Sequence, residues 1–194
     1  VNIACIIGNG PSRLQFDLNK IAETMTTYGC NALYRDFMPD YLISVDYEMV
    51  REIIKNKIHY QTKFYTQHEN RVDGLSESQP INFFWGLSET YDSGNNALRL
   101  ALLNKHDIVY MIGFDYSTDP STLPNVYAGT KNYSSNHVWP AASMRDEQWG
   151  KRLRKLLKTF PNQQVIRVNG TKQLNVNSNN YTEISVQQFK EIYE

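Results

Sequence analysis

The sequence is short of cysteine, of net charge and of long apolar runs, and each shortage removes a class of function. Its thiols are Cys5 and Cys30, set without a CxxC or Cys/His ligand spacing. Zinc-ribbon and thiol-redox chemistry drop out, and reduced structural thiols in a cytoplasmic compartment are expected. Lys and Arg number 20 and so do Asp and Glu. With no whole-molecule field, nucleic acid and anionic membranes are not expected partners, and any anionic ligand needs a local site. No apolar stretch approaches the roughly 20 residues that cross a bilayer, and no signal-peptide pattern precedes the first apolar run, so a soluble protein without a transmembrane segment is expected. The GxGxxG dinucleotide fingerprint is missing, and so is the lysine of a P-loop.

What is present starts with an apolar run that ends in a glycine turn, Cys5-Ile6-Ile7-Gly8-Asn9-Gly10-Pro11-Ser12-Arg13. Backbone amides exposed at such a strand-to-turn junction can hold a phosphate, and the Asn9 and Ser12 side chains can bond a ribose or phosphate. A tight turn that binds nothing is the other reading of the bare pattern. The continuous apolar residues from Asn2 to Ile7 predict a strand buried on both faces, and the run from Asp107 to Phe114 predicts a second, followed by Asp115.

Between and after these runs, strand and helix signals alternate. A helix is expected from Leu14 to Met25, its middle at Phe16 to Asn19 prone to break it in two, then a strand from Thr26 to Cys30 leading to Asn31. A third strand from Tyr41 should end on the carboxylate of Asp46, before a helix from Tyr47 to Lys57. Strands are expected from Lys63 to Thr66 and from Ile81 to Trp85, a helix capped by Ser93 as far as Lys105, and another helix from Ser143 to Thr159. A strand from Gln164 to Val168, a polar loop over Asn175 to Asn180 and a terminal helix from Val186 to Tyr193 complete the chain. The alternation predicts a three-layer, Rossmann-like α/β fold with a mainly parallel sheet, as one nucleotide-binding domain over residues 1–194. On such a sheet Gly8 to Ser12, Asp46 and Asp115 would share the carboxyl-end rim where ligands bind.

Residues 116–140 turn to Ser, Thr, Pro, Asn, Gly and Tyr, a long irregular insertion that reads as a lid. Tyr116, Tyr127, Tyr133 and Trp139 in it argue against disorder. His137 lies in this lid and is a candidate base, whereas His59, His68 and His106 read as surface residues. An exposed aromatic lid also makes a homo-oligomer a reading to test.

The motifs IIGNGPS, Cys30-Asn31, Ser44-Val45-Asp46, Ser93-Gly94 and Ile112-Gly113-Phe114-Asp115, in this order and spacing, resemble those of small bacterial sialyltransferases that use CMP-sialic acid. The same motifs resemble a wider superfamily with flagellin-glycosylating enzymes and hydroxymethylpterin diphosphokinases. The resemblance implies a glycosyltransferase that moves a sugar from a CMP-activated or other nucleotide-sugar donor to the hydroxyl of a glycan or small-molecule acceptor, with no metal or other cofactor required. It implies nucleotide contacts at Asn9, Ser12, Asn31, Ser93 and Gly94, beside the turn glycines Gly8 and Gly10 and the rim carboxylates Asp46 and Asp115. Tyr127 and Tyr133, with Tyr116 as a third, would bind the leaving phosphate, and His137 would act as base.

The chain departs from that pattern at Ala32, where an amide would follow Asn31, at Asp46, where an asparagine would stand, and at Glu89 to Asp92, where an arginine would precede Ser93. The added carboxylates support an alternative, a Mg-dependent diphosphokinase that places its cation through Asp46, Asp92 and Asp115. A non-catalytic nucleotide- or glycan-binding domain is the third reading.

Overall fold

Each apolar run becomes a strand of one parallel sheet. The protein is seen here as a computed structural model, which describes residues 1–67, 80–83, 92–116, 125–133, 142–169 and 174–193. Its strands are β1 (Ile3–Ile7), β2 (Thr26–Cys30), β3 (Tyr41–Ile43), β4 (Lys63–Thr66), β5 (Ile81–Phe83), β6 (Ile108–Ile112), β7 (Gln164–Val168) and β8 (Tyr181–Ile184). They pair, all parallel, in the order β5-β4-β3-β2-β1-β6-β7-β8. The chain therefore winds outward from β1 to β5 and then returns to the other flank of β1 with β6. Strand order reverses between β1 and β6, and in open parallel α/β sheets it is the crevice outside the carboxyl ends at such a point that takes ligands.

Both faces of the sheet are covered, which is why β1 and β6 carry continuous rather than alternating apolar residues. Ala4 and Ile6 of β1 pack into a cluster with residues of α3 (Ser93–Leu103) and α4 (Ala142–Thr159). Cys5 and Ile7 point the other way, toward α1 (Leu18–Thr24) and α5 (Val186–Tyr193). On that same side Leu42 and Phe64 meet Met49, Val50 and Ile53 of α2 (Tyr47–Lys55). The three-layer Rossmann-like architecture predicted from the alternation is the one observed. Each buried Ile or Leu of these clusters contributes about 1.5–3 kcal/mol by leaving water.

Several local expectations are corrected. The helix expected from Leu14 to Met25 takes the broken form that its middle allowed, a 3-10 turn, Pro11–Gln15, followed by α1, because Asp17 takes the N-cap position and accepts the amides of Asn19 and Lys20 at 3.0 and 3.3 Å. The third strand stops at Ile43, which leaves Asp46 at the N-cap position of α2. Asp92 rather than Ser93 caps α3, its carboxylate accepting the Asn95 amide at 2.8 Å. The polar loop over Asn175 to Asn180 is irregular as expected, and an edge strand that had not been expected, β8, follows it.

Two histidines read as surface residues, His59 and His106, are buried, and His68 lies outside the described residues. His106 Nε2 and the Tyr28 hydroxyl share a hydrogen bond at 2.8 Å, and burial pushes the His106 pKa down. Both cysteines are free and buried, and burial pushes the Cys30 thiol up to about 12. Among the described residues no helix is long and apolar enough to cross a membrane.

Candidate functional site

The glycine turn is stitched to the exit of β6. The Gly8 amide donates to the Ile112 carbonyl at 2.8 Å, the Gly10 amide to the Gly113 carbonyl at 2.9 Å, and the Ser12 amide to Asp115 Oδ2 at 2.9 Å. Arg13 closes the 3-10 turn through the Gly10 carbonyl at 3.1 Å. This corrects the expectation that the turn's amides stand ready for a phosphate, since these four are already donated within the chain. The turn instead offers side chains. Asn9 Nδ2 donates to the Cys30 carbonyl at 3.0 Å, while among the described residues Asn9 Oδ1 is buried without a partner and the Ser12 hydroxyl is buried and unpartnered as well.

A second group forms where β2, β3 and α3 end or begin together. Asn31 adopts a left-handed conformation, φ 53°, that asparagine tolerates better than most residues. From there its Oδ1 accepts the hydroxyls of Ser44 at 2.9 Å and Ser93 at 2.8 Å, and its Nδ2 donates to Asp46 at 3.1 Å. The Ser93 hydroxyl also accepts the Val45 amide at 3.2 Å. Asn31, Asp46 and Ser93, separated along the chain, are thus one hydrogen-bonded network. Gly94 is needed for packing, because a Cβ there would lie 2.8 Å from the Phe114 ring.

The carboxylates of the alternative reading do not converge. Asp46 is bonded to Asn31, Asp115 to the Ser12 amide, and Asp92 to Asn95 and to Arg152 at 3.1 Å. Among the described residues no three His, Cys, Asp or Glu side chains group as metal ligands. The cation triad expected for a diphosphokinase is not assembled.

Two of the tyrosines expected on a leaving phosphate are committed elsewhere. Tyr116, at φ 50°, is buried against Trp149, with the Arg167 guanidinium 5.1 Å from its ring centre. Tyr127 is buried too; its hydroxyl donates to Asp36 at 2.7 Å and accepts from Arg13 at 2.7 Å, while Arg13 pairs with Asp36 at 2.6 Å. Tyr133 lies near Tyr127, with ring centres 5.7 Å apart and ring planes tilted by 39°. Burial raises its pKa, so the phenol remains a hydrogen-bond donor at neutral pH. His137 and Trp139 lie outside the described residues.

Residues 125–133 are fastened over the turn by groups that sequence reasoning missed. The Val126 amide donates to the Asn9 carbonyl at 2.9 Å. Arg35 spans Glu52 at 2.6 Å, the Thr130 hydroxyl at 2.9 Å and the Lys131 carbonyl at 3.0 Å, and Asn132 reaches the other Glu52 oxygen at 2.7 Å. Glu52 sits on a helix face that is otherwise apolar, the one signal that it would turn inward to a partner.

Burial alone would raise the Glu52 pKa, but hydrogen bonds from Tyr34 and Arg35 hold it below the ordinary 4.5. A depressed carboxylate stabilises the fold above its unfolded pKa and loses that contribution as pH falls through the folded one. Between pH 7 and about 5 the advantage of wild type over Glu52→Gln should therefore be constant, and below about 4.5 it should shrink. Urea unfolding at stepped pH measures it; an advantage that grows toward acid would contradict the assignment.

No protein-family model matches the sequence, nor does any curated protein. Two solved structures are similar in fold. One is the sialyltransferase CST-II in complex with a trisaccharide acceptor and CMP, at TM-score 0.55 and 14% identity over 98% of both chains. The other is a point mutant of the α2,3/8-sialyltransferase CstII, at TM-score 0.51 and 16% identity over 98% of this chain and 100% of that one.

Proposed function

We propose that this protein is a sialyltransferase-like glycosyltransferase that binds a CMP-activated sugar at the β1–β6 crevice and transfers the sugar to an acceptor hydroxyl. The observation that carries the reading is the pair of buried, unpartnered oxygens, Asn9 Oδ1 and Ser12 Oγ, on the rim beside the Asn31–Ser93 network. A buried polar atom left unpaired costs about 1–3 kcal/mol, and a nucleotide's amino and hydroxyl groups would recover that cost. The fold likeness to a CMP-bound sialyltransferase supports the same choice of ligand. Gly8 and Gly10 shape the turn, Asp115 holds it, and Asp46 orients Asn31.

In this reading the acceptor oxygen attacks the anomeric carbon, the bond from that carbon to the phosphate oxygen breaks, and the acceptor proton passes to the His137 imidazole. Histidine, with an ordinary pKa near 6.5, suits this task at neutral pH. CMP leaves with its new phosphate charge stabilised by the Tyr133 phenol, a donor of the kind that assists developing anions without a metal. The acceptor is a glycan or a small molecule with a free hydroxyl.

A panel of CMP, CDP, UDP and ATP, with and without Mg²⁺, tests the reading by melting temperature. CMP at 100 times its Kd should add about 2.7 kcal/mol of stability without Mg²⁺. A shift with ATP alone and only with Mg²⁺ would favour the diphosphokinase, and no shift at all would remove the nucleotide site. His137→Ala should lower transfer by roughly 10²- to 10⁴-fold while the CMP shift persists. Full activity in that variant would remove His137 as the base.

A further inference from the structure

The clamp on residues 125–133 starts on the rim itself. Asn31, whose side chain joins Ser44, Ser93 and Asp46, and Arg35 are the first and last residues of one 3-10 turn, Asn31–Arg35. Whatever Arg35 holds is therefore held at a fixed offset from the Asn31 network. Its Nε and Nη2 donate to Glu52 Oε1 at 3.1 and 2.6 Å, its Nη1 to the Thr130 hydroxyl at 2.9 Å, and its Nη2 also to the Lys131 carbonyl at 3.0 Å. The same guanidinium lies over the rings of Tyr127 and Tyr133, 5.6 and 5.9 Å from their centres, within cation–π range. Glu52, 6% exposed on α2, anchors it and takes Asn132 Nδ2 on its other oxygen at 2.7 Å. Thr130, Lys131 and Asn132, the three residues before Tyr133, are thus each tied to the Arg35–Glu52 pair. Tyr133 closes the segment, its amide donating to the Thr130 carbonyl at 2.9 Å and its carbonyl accepting the Gly129 amide at 3.0 Å.

We infer that Arg35, anchored by Glu52, is a positioning residue for Tyr133 and sets where the phenol stands when a nucleotide phosphate is bound. The inference rests on the role proposed above for Tyr133 at the leaving phosphate. A donor assists a developing anion only when its place is fixed beforehand, by partners that lock both its backbone and its ring. Arg35 supplies both, through the bonds to residues 130 and 131 and the contact with the ring. Its guanidinium is spent on these acceptors, so it acts through Tyr133 rather than on the phosphate. Lysine cannot replace it, because a point-like ammonium lacks the planar fork that serves Glu52 and the segment together.

Calorimetric titration with CMP and with cytidine, which differ by the phosphate alone, tests the assignment. Arg35→Lys should bind CMP about tenfold more weakly than wild type, as the loss of one hydrogen bond to a charged group implies, and cytidine equally well. Thr130→Val, which removes one tether and leaves the Glu52 pair intact, should show a smaller loss for CMP alone. In a Tyr133→Phe background Arg35→Lys should cost CMP nothing further, since the two changes remove one interaction. Hydrogen exchange, which needs no nucleotide, should quicken about tenfold at the Gly129, Thr130 and Tyr133 amides of Arg35→Lys while the β1 amides keep their protection. Equal loss for CMP and cytidine would make Arg35 a general support of the fold and overturn the inference. So would an undiminished CMP affinity in Arg35→Lys, an equal loss with and without the Tyr133 hydroxyl, or unchanged exchange. Each of those results leaves the nucleotide reading standing if wild type binds CMP; a wild type that binds no CMP would remove that reading and this role with it.

Discussion

Arg167→Met should lower the unfolding free energy by about 3–5 kcal/mol, the usual cost of leaving one partner of a buried ion pair uncompensated. For a chain of this size that is a fall in Tm of roughly 6–20 °C. Arg167 is fully buried on β7, and its guanidinium donates to the Phe114 carbonyl at 2.8 Å, the Asp115 carbonyl at 3.3 Å and Glu183 on β8 at 3.0 Å. Glu183 in turn accepts the Tyr181 hydroxyl at 2.7 Å and the Leu174 amide at 3.0 Å. Methionine would strand both the carboxylate and the two carbonyls. The double variant Arg167→Met/Glu183→Leu should recover part of the loss, because removing both charges also removes their desolvation cost. Chemical denaturation of the four proteins gives the cycle, and a single-variant loss below about 1 kcal/mol would contradict the pairing.

The same pair explains part of what the sequence concealed. In Gln164–Val168 an arginine interrupts an apolar strand, and a buried arginine needs a carboxylate. Its partner stands on Tyr181–Ile184, an edge strand half open to water, whose short mixed pattern carries no strand period of its own. β8 was thus legible only through Arg167. By contrast β1 and β6 were plain, because a strand covered on both faces must be apolar throughout.

At the site, the chemistry of single residues was legible and their partners were not. The motifs located Asn31, Asp46 and Ser93, and the fold brings them into contact. Tyr127 was recognisable as a functional type of residue, but nothing along the chain couples it to Arg13 and Asp36, which the fold supplies from the opposite end of the sequence. His59 and His106 were misread for a related reason. Each has a polar or charged neighbour, His106 between Lys105 and Asp107, and local polarity does not reveal which side chain turns inward.

Gly10→Ala should cost about 2–3 kcal/mol, as overpacking of a site that cannot yield does. A Cβ at position 10 would stand 2.5 Å from Asp115 Oδ2 and 2.6 Å from the Gly113 carbonyl oxygen. The carboxylate could swing away, at the price of its bond to the Ser12 amide. The carbonyl has no such freedom, for it is the acceptor of the Gly10 amide itself at 2.9 Å, and Gly113 is held at φ +69° by the same close approach to Gly8. Adding Asp115→Ser to Gly10→Ala should therefore rescue only a minor part of the stability, and full rescue in thermal unfolding would show that the backbone contact yields. Asn9→Ala and Ser12→Ala should behave in the opposite way. Their unpartnered oxygens do little for the fold, so CMP affinity should drop while Tm changes by only about 2–4 °C. The glycines of the turn then account for its shape and the two polar side chains for its ligand, two properties that a motif read along the chain merges into one.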